Sequence, residues 1–207
     1  MTDKELKQIH NKILEIVIYF DNFCKENQIT YYLMGGTALG AIRHKGFIPW
    51  DDDFDVFMDA ENYTKFRKVI KEKIDSETYY FQEEDTKEWP MFFSKLKMHG
   101  TTYIEKDVRH RKDMHHGLFL DIMPLNNVAT SKTARYLQYL AARIANTRAL
   151  IDKGYDTDST VKKIALQLSK IIVTPFVKRK LVQYVRRYNK KNTEYVGHFF
   201  GRARFDK

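Results

Sequence analysis

Four aspartates within five positions are the feature of this sequence that most constrains its fold. They occupy positions 51, 52, 53 and 55, directly before the apolar run Val56-Phe57-Met58. Carboxylates at this spacing repel one another unless a cation neutralises them, whereas the apolar residues that follow need burial. The chain is therefore expected to hold a charged cluster at the edge of its own core. An exposed acidic turn without a role is the alternative interpretation.

A β-strand over 53–58 would sort these carboxylates by alternation. Successive side chains of a strand point to opposite faces, so Asp51, Asp53 and Asp55 are expected on one face and Asp52 on the other. Several carboxylates on one face are typical ligands of a hard divalent cation. We therefore predict that Mg²⁺ or Mn²⁺ is bound by Asp51, Asp53 and Asp55.

A glycine pair precedes the acidic cluster. Gly35 and Gly36 follow Ile29–Met34, a β-branched and aromatic run that predicts a strand, and Thr37–Arg43 predicts a short helix. Glycine lets a backbone approach a phosphate closely, and the N-terminus of a helix offers free N–H groups and the positive end of its dipole. We predict that Gly35, Gly36 and Thr37 bind phosphate, with a plain turn as the alternative.

Asp121 is the best candidate for a further carboxylate of this metal site. It is the one charged residue of the apolar segment Leu118–Met123, which predicts a strand that ends at Pro124. A charge in such a strand is costly unless it is paired or bound to a metal. The alternative is a buried aspartate that a structural arginine or a backbone cap satisfies.

The remaining pattern divides the chain near residue 130 into a mixed α/β half, residues 1–130, and a basic helical half, residues 131–207, packed on the first. Further helices are predicted over Asp3–Asn27, Asn62–Ile74, Ser131–Leu150 and Ser159–Lys190, the last with a break near Pro175. Further strands are predicted at Tyr79–Phe81 and Met91–Met98, with Thr101–Glu105 continuing the sheet. No strand is predicted after Thr130.

Composition narrows the class of protein. Cys24 is the single cysteine, which excludes an intramolecular disulfide and a multi-cysteine zinc site and favours a reducing, cytoplasmic setting. No apolar run reaches the roughly 18 residues that a membrane span needs, and no signal peptide is recognisable. The formal net charge of +9 indicates an anionic partner, either a nucleotide, a nucleic acid or an anionic membrane.

The run from Met34 to Asp55, MGGTALGAIRHKGFIPWDDDFD, closely resembles the signature of the LicD family. That family includes bacterial phosphocholine transferases and is related to the fukutin-type proteins. Gly117–Pro124 resembles its second characteristic strand, and Ser94–Lys97 with Thr101–Tyr103 resembles the stretch between them. The resemblance covers about residues 5–128.

The resemblance implies an α+β fold of the DNA polymerase beta nucleotidyltransferase type, a mixed sheet flanked by helices, here with a helical C-terminal half. In that fold a glycine pair opens the site, an Asp-x-Asp pair binds metal, and a third acid lies on a neighbouring strand. The matching positions are Gly35 and Gly36, then Asp53 and Asp55, then Asp121. The last three are the predicted catalytic residues.

The chemistry that the resemblance implies is transfer of phosphocholine or a similar phospho-substituent. The donor would be CDP-linked, such as CDP-choline, and the acceptor a free or lipid-linked cell-surface glycan such as teichoic acid, lipopolysaccharide or capsule. Asp53 and Asp55 would hold one or two metal ions against the donor's pyrophosphate, and Asp121 would share the metal or take the acceptor's proton. Arg43, Lys45 and Lys95 are predicted donor contacts, with plain surface charges as the alternative for Arg43 and Lys45.

Three alternatives remain open at this stage. Family members usually extend into an aromatic, Gly-Asp and Pro-Pro rich C-terminal motif that this sequence lacks, so an inactive or partner-dependent member is one of them. A nucleotidyltransferase acting on another small substrate is the second, and one acting on nucleic acid is the third. A pure nucleic-acid-binding module is not expected, because the acidic cluster would repel phosphates in the absence of metal.

The helical half raises a separate hypothesis. From Val161 to Lys190, apolar residues interleave with lysines and arginines, a pattern that suits a helix lying on an anionic membrane. Peripheral contact at the inner face of the cell membrane is one expectation from this pattern. A helix packed on the catalytic domain, with a solvated basic face, is the other and preferred interpretation.

Overall fold

The computed structural model describes residues 2–105, 108–155, 157 and 159–201. The helices are α1 (Asp3–Glu26), α2 (Gly35–Arg43), α3 (Ala60–Lys73), α4 (Lys132–Lys153), α5 (Thr160–Ile172) and α6 (Pro175–Arg186). The strands are β1 (Tyr32–Leu33), β2 (Asp55–Asp59), β3 (Tyr79–Gln82), β4 (Ser94–Met98), β5 (Phe119–Asn127) and β6 (Val196–Gly197). The sheet has the order β1-β2-β5-β4-β3, with β6 paired to β5. The predicted α+β class with a helical C-terminal half is confirmed.

The chain forms two compact units. The first combines Met1–Glu83 with Phe93–Met123, and the second combines Glu84–Phe92 with Pro124–Lys207. The division predicted at residue 130 stays a prediction, and the structure groups Glu84–Phe92 with the C-terminal part of the chain.

Helix α1 supplies one face of the core of the first unit. It begins with a capping box in which the Thr2 hydroxyl accepts from the backbone N–H of Glu5 and the Glu5 carboxylate accepts from that of Thr2. Apolar residues three and four positions apart then share one face, and Ile13, Ile16 and Phe20 are buried there. The Phe20 ring meets Phe66 of α3 edge-on, with ring centroids 5.6 Å apart.

Strand β2 carries the acidic segment into this core. Val56 and Met58 are fully buried, while Asp55, Phe57 and Asp59 are only partly buried, so the predicted alternation holds within the strand. Asp59 then ends the strand and caps α3, its carboxylate accepting from Asn62 N–H at 2.8 Å. At Asp55 the chain therefore passes from an irregular segment into a strand that is anchored in the core.

Four strand predictions up to residue 105 are wrong in extent. The strands predicted over Ile29–Met34 and Met91–Met98 shorten to Tyr32–Leu33 and Ser94–Met98. The strand predicted over 53–58 begins only at Asp55, so alternation along a strand does not govern the segment before it. Thr101–Glu105 forms no strand, although Tyr103 N–H donates to the carbonyl of His116 at 2.6 Å. A single bond of this kind ties the segment to its neighbour without building a ladder.

The end of β5 also differs from expectation. Proline lacks a backbone donor and usually ends a strand, yet β5 passes through Pro124 and continues to Asn127. Its last two residues pair with β6, which lies in the half predicted to be free of strands. The local proline signal is overridden by this pairing, whose partner lies about seventy residues further along the sequence.

The second unit is organised around a buried side-chain amide. Gln138 of α4 is fully buried and accepts from Ala129 N–H at 3.0 Å. Its Nε2 donates to the carbonyls of Asn127 and Val185, at 2.9 and 2.8 Å. Arg186 at the end of α6 adds a bidentate ion pair with Glu84, both N–O distances being 2.8 Å.

Within the described part of the chain, no helix has the length and apolar content needed to cross a bilayer.

Gly40 is expected to be the least replaceable position of α2. A Cβ there would lie 2.6 Å from the carbonyl oxygen of Gly46 and 3.1 Å from the Ile48 nitrogen, both backbone atoms that cannot swing aside. Alanine should gain about 1 kcal/mol of helix propensity, but overpacking costs about 1–3 kcal/mol and a clash with backbone lies at the upper end. We expect Gly40→Ala to lower the free energy of unfolding in urea by roughly 1–2 kcal/mol.

Gly46→Ala is the matched control, because a Cβ at Gly46 meets nothing within 4 Å. It should change stability by no more than about 0.5 kcal/mol. Equal stability of the two variants would contradict the close packing of α2 against the loop that follows it.

Candidate active site

Two hydrogen bonds join the start of α2 to the start of β2. The hydroxyl of Thr37 accepts from Asp55 N–H at 2.9 Å, and Met34 N–H donates to the Asp55 carbonyl at 3.0 Å. The glycine pair and the acidic segment, some twenty residues apart in sequence, therefore lie side by side. Thr37 was predicted as a phosphate ligand, and the structure adds that its hydroxyl oxygen holds the backbone of Asp55.

A third bond brings Asp121 to the same place. Asp121 N–H on β5 donates to the carbonyl of Phe54 at 2.9 Å, so Asp121 lies beside the segment that contains Asp53 and Asp55. The predicted gathering of these three carboxylates agrees with this arrangement. Their roles in catalysis and metal binding stay predictions.

The electrostatics of the cluster show how tightly these carboxylates crowd. Burial, followed by the negative charges of Asp121 and Asp53, raises the pKa of Asp55 to about 8 against the opposing effect of Lys95. Burial, then the charges of Asp51, Asp121 and Asp52, raises the pKa of Asp53 to about 6. Burial also raises the pKa of Asp121, which Lys95 opposes. The site carries more negative charge than its own cations neutralise.

Lys95 is the internal counter-ion of this cluster. It lies opposite Asp121 in the β4–β5 register, is 1% exposed, and places Nζ 2.8 Å from Asp121 Oδ1. Its Nζ also lies 3.2 Å from Glu105 Oε1 and 3.4 Å from the centroid of the Phe119 ring. Lys95 was predicted to contact the donor, but its burial and these partners suit electrostatic support of Asp121 better.

Asp51 and Asp52 are held by different neighbours. The carbonyl of Asp51 accepts from Nε2 of His10 on α1 at 2.6 Å, and its carboxylate lies against Gly36, where an added Cβ would be 2.6 Å from Oδ2. The carboxylate of Asp52 accepts from the hydroxyl of Tyr103 at 2.5 Å. Because β2 begins only at Asp55, strand alternation does not orient Asp52. The hydrogen bond from Tyr103 orients it instead.

A cavity of about 330 Å³ opens beside the cluster. Its polar lining comes from Gly36, Thr37, Lys45, Asp51 and Asp53. Its apolar lining consists of Leu14, Leu33, Ala41, Phe47, Ile48 and Phe54, together with the backbone of Gly46. A recess that joins carboxylates, a helix N-terminus and apolar walls is typical of a small-molecule site.

The helix that opens the cavity leaves its first amide groups for a ligand. Met34 is the N-cap of α2 and makes no side-chain capping bond. The N–H groups of Gly35, Gly36 and Thr37 belong to the first turn, which has no partner within a helix. These N–H groups and the helix dipole are the features that phosphate binding would use, and phosphate binding by Gly35, Gly36 and Thr37 stays a prediction.

The two other predicted donor contacts fall at different places. Lys45 lines the cavity together with Asp51 and Asp53. Arg43 is exposed at the last residue of α2, about 12 Å along the helix axis from the glycine pair. The position of Lys45 therefore suits contact with a ligand in this cavity better than that of Arg43 does.

The carboxylates fit a hard divalent cation by their chemistry. Among the described residues, no group of three or more His, Cys, Asp or Glu side chains has the geometry of a preformed metal site. Asp53, Asp55 and Asp121 nevertheless have the carboxylate oxygens that Mg²⁺ and Mn²⁺ prefer as ligands. Burial raises the pKa of each, and repulsion from neighbouring aspartates adds to the rise at Asp53 and Asp55. A cation bound between them would relieve that repulsion.

His10, Tyr103 and Glu105 contribute to the site without having been predicted from the sequence. His10 and Tyr103 bond to the acidic segment across 41 and 51 positions of sequence, so no local pattern marks them. A signal did exist for Glu105, because Lys95 in a predicted buried strand requires an acidic partner.

Comparison with known proteins supports the resemblance noted in the sequence. Residues 28–134 match the family model described as the LicD/FKTN/FKRP nucleotidyltransferase domain. The chain is 30% identical over 187 residues to the lipopolysaccharide cholinephosphotransferase LicD of Haemophilus influenzae, which is 89% of this chain and 69% of that protein. Over 45 residues it is 42% and 40% identical to uncharacterized proteins of Rickettsia typhi and Rickettsia prowazekii, spanning 22% of this chain and 15% and 17% of theirs. The predicted family is confirmed.

The crowded carboxylates predict a pH-dependent effect of Mg²⁺ on stability. Asp53 and Asp55 have a higher pKa in the folded chain than their ordinary value of 3.8, so the folded state binds protons more tightly. The metal-free protein should therefore lose stability as pH rises from about 4 to about 8. We expect Mg²⁺ to raise the melting temperature, relative to EDTA, more at about pH 8 than at about pH 5.

Asp55→Asn should stabilise the metal-free protein at about pH 8 and reduce the gain from Mg²⁺. Asp113→Asn is the control, since Asp113 is an exposed carboxylate paired with Arg111 outside the cluster. A Mg²⁺ effect that is the same at both pH values, or that survives in Asp55→Asn, would argue against a cation at these carboxylates.

Removal of the internal counter-ion should be costly. Lys95→Met leaves the buried Asp121 without its nearest cation, and breaking a buried pair on one side typically costs about 3–5 kcal/mol. We expect a loss of that size in the free energy of unfolding in urea at neutral pH. The double variant Lys95→Met/Asp121→Asn should recover part of it, and strictly additive losses would contradict the pairing.

Proposed function

This chain belongs to the LicD family, and from that premise we propose that it transfers phosphocholine, or a similar phospho-substituent, to a glycan. The donor in this proposal is CDP-linked, such as CDP-choline, and the reaction depends on Mg²⁺ or Mn²⁺. One observation carries the proposal: the carboxylates of Asp53, Asp55 and Asp121 gather beside the open N-terminus of α2. This arrangement offers ligands for a cation and for a phosphate within one site.

The phosphates of the donor are bound by the first turn of α2 in this proposal. The N–H groups of Gly35, Gly36 and Thr37 donate to phosphate oxygens, and the absence of a side-chain cap from Met34 leaves them accessible. The Thr37 hydroxyl accepts from Asp55 N–H and keeps its own proton for a phosphate oxygen. Thr37 thus positions a metal ligand and a phosphate together.

Asp53 and Asp55 would hold the metal, with Asp51 and Asp121 as the adjoining carboxylates. A bound Mg²⁺ or Mn²⁺ would neutralise charge on the donor's pyrophosphate. The chain's own contribution is to fix the two carboxylates. Asp55 is fixed by its backbone bonds to Thr37 and Met34, while Asp53 precedes Phe54, whose carbonyl accepts from Asp121 N–H.

The transfer itself requires a proton acceptor. A bond forms between the acceptor hydroxyl oxygen and the phosphorus that carries choline, the bond from that phosphorus to the oxygen of CMP breaks, and the hydroxyl proton passes to a carboxylate. Asp121 takes that proton or shares the metal, and a raised pKa makes a carboxylate a better base near neutral pH. Lys95 lies 2.8 Å from Asp121 Oδ1 and opposes that rise.

The head group of the donor occupies the cavity beside the cluster in this proposal. Phe47 and Phe54 stand with ring centroids 6.0 Å apart and line the cavity, together with Leu14, Leu33 and Ile48. Methyl groups of a quaternary ammonium suit such walls, and aromatic faces and the nearby carboxylates of Asp51 and Asp53 attract its positive charge. Lys45 at the same cavity is placed for the phosphate end of the donor.

Lipopolysaccharide is the first acceptor to examine, because the relative from Haemophilus influenzae is named for that acceptor. Teichoic acid, capsule and other lipid-linked glycans follow from the same chemistry, since each offers a hydroxyl. No nucleic acid partner is proposed.

A second candidate function rests on the pairing of Lys95 with Asp121. That ion pair already neutralises part of the charge of the Asp121 carboxylate. A family member that binds a CDP-linked ligand without transferring its head group is therefore also consistent with this site. Stabilisation by Mg²⁺ and CDP-choline without release of CMP would identify such a binding protein.

The direct test is release of CMP from CDP-choline in the presence of lipopolysaccharide, with Mg²⁺ or with EDTA. We expect activity only with the metal, and a loss of about 10²-fold or more in kcat/KM for Asp53→Asn and for Asp55→Asn. The exposed control Asp113→Asn should retain activity, and thermal unfolding should confirm that all variants fold. Unchanged activity in a folded Asp55→Asn variant would overturn the assignment.

A further inference from the structure

Helix α5 exposes most of its large apolar side chains. The exposed fractions of Val161, Ile164, Leu168, Ile171 and Ile172 are 77%, 53%, 53%, 74% and 68%. At 100° per residue these five positions fall within an arc of about 100°, so they form one continuous face, called here the α5 stripe. A face of that width normally packs against a core, and a large exposed apolar patch normally marks an interaction surface.

The start of α6 adds one more exposed apolar side chain. Phe176 in the first turn of α6 is 59% exposed, close in sequence to Ile171 and Ile172 at the end of α5. Arg179 and Lys180 flank its ring, with Arg179 Cζ 5.5 Å and Lys180 Nζ 5.6 Å from the centroid. An exposed aromatic ring bordered by two cations therefore follows the α5 stripe in sequence.

The charge of this region has a single sign. From Ser159 to Thr193 the sequence contains ten lysines and arginines and no aspartate or glutamate. Among them, Lys178 pairs with Asp85 at 2.7 Å and Arg186 pairs with Glu84. Four others, Lys163, Lys170, Arg179 and Lys180, are exposed.

The stripe is held in place by the helix that precedes it. Arg148 of α4 donates to the carbonyls of Lys170 and Val173, at 3.0 and 2.5 Å, and so satisfies carbonyls at the C-terminal end of α5. Val173 itself is buried. The exposed face is therefore presented by an anchored helix end.

We propose that the α5 stripe and Phe176 dock this chain onto an anionic lipid bilayer, with α5 lying in the plane of the interface. The acyl region would take the apolar face, and the phosphate head groups would pair with Lys170, Arg179 and Lys180. Charge selects this occupant, because a second copy would bring two regions of the same sign together. The proposal goes beyond the transfer reaction and does not depend on it.

The test is co-sedimentation of the whole chain with vesicles. One set contains phosphatidylcholine alone, and the other an equimolar mixture of phosphatidylcholine and phosphatidylglycerol. We expect binding to the anionic vesicles, weakening with added salt, and little binding to the neutral ones. Ile171→Ser/Ile172→Ser/Phe176→Ser should weaken binding by at least about tenfold, and Lys170→Gln/Arg179→Gln/Lys180→Gln by about fivefold per charge.

A control replaces three exposed apolar residues elsewhere, as Ile18→Ser/Tyr136→Ser/Leu137→Ser. This variant should bind anionic vesicles as the unaltered chain does, and thermal unfolding should show that every variant folds. Equal sedimentation of the unaltered chain and the Ile171, Ile172 and Phe176 variant would overturn the proposal. A concentration-dependent dimer in analytical ultracentrifugation, lost only in that variant and without vesicle binding, would overturn it in favour of self-association.

Discussion

Repulsion among buried carboxylates, resisted by backbone hydrogen bonds, is the constraint on which the candidate site depends. The bonds of Thr37 to Asp55, Met34 to Asp55 and Asp121 to Phe54 fix the main chain of α2, β2 and β5 at one point. Each bond joins segments distant in sequence, so the cluster is a product of the fold. Side chains that would separate in water are thereby kept close enough to bind one cation.

The core provides the free energy that this arrangement costs. Val56 and Met58 are fully buried immediately after the acidic segment, and α1 and α3 cover the sheet on which they lie. Each buried side chain of this size contributes about 1.5–3 kcal/mol, and a raised carboxylate pKa costs about 1.4 kcal/mol per unit, so the rise at Asp55 from 3.8 to about 8 is offset only by several such side chains together. The site is thus a local loss of stability within a well-packed unit, as functional sites often are.

Local sequence was sufficient to predict the glycine turn, the acidic segment and Asp121, because each carries its signal within a few residues. It could not predict His10 or Tyr103, whose bonds to the acidic segment depend on tertiary packing. It placed Lys95 on the correct strand, but the pairing with Asp121 depends on the β4–β5 register. The extension of β5 beyond Pro124 was missed for the same reason, since its partner β6 lies far along the chain.

We propose that Asp53, Asp55 and Asp121 form one cation site beside the start of α2. A crystal of the protein grown with Mn²⁺ and CDP-choline would locate the cation through the anomalous scattering of manganese. We expect an anomalous peak within about 2.5 Å of carboxylate oxygens of Asp53 and Asp55, with the donor's phosphates against Gly36 and Thr37. Ordered Mn²⁺ and donor located elsewhere, with these carboxylates free of metal, would contradict it.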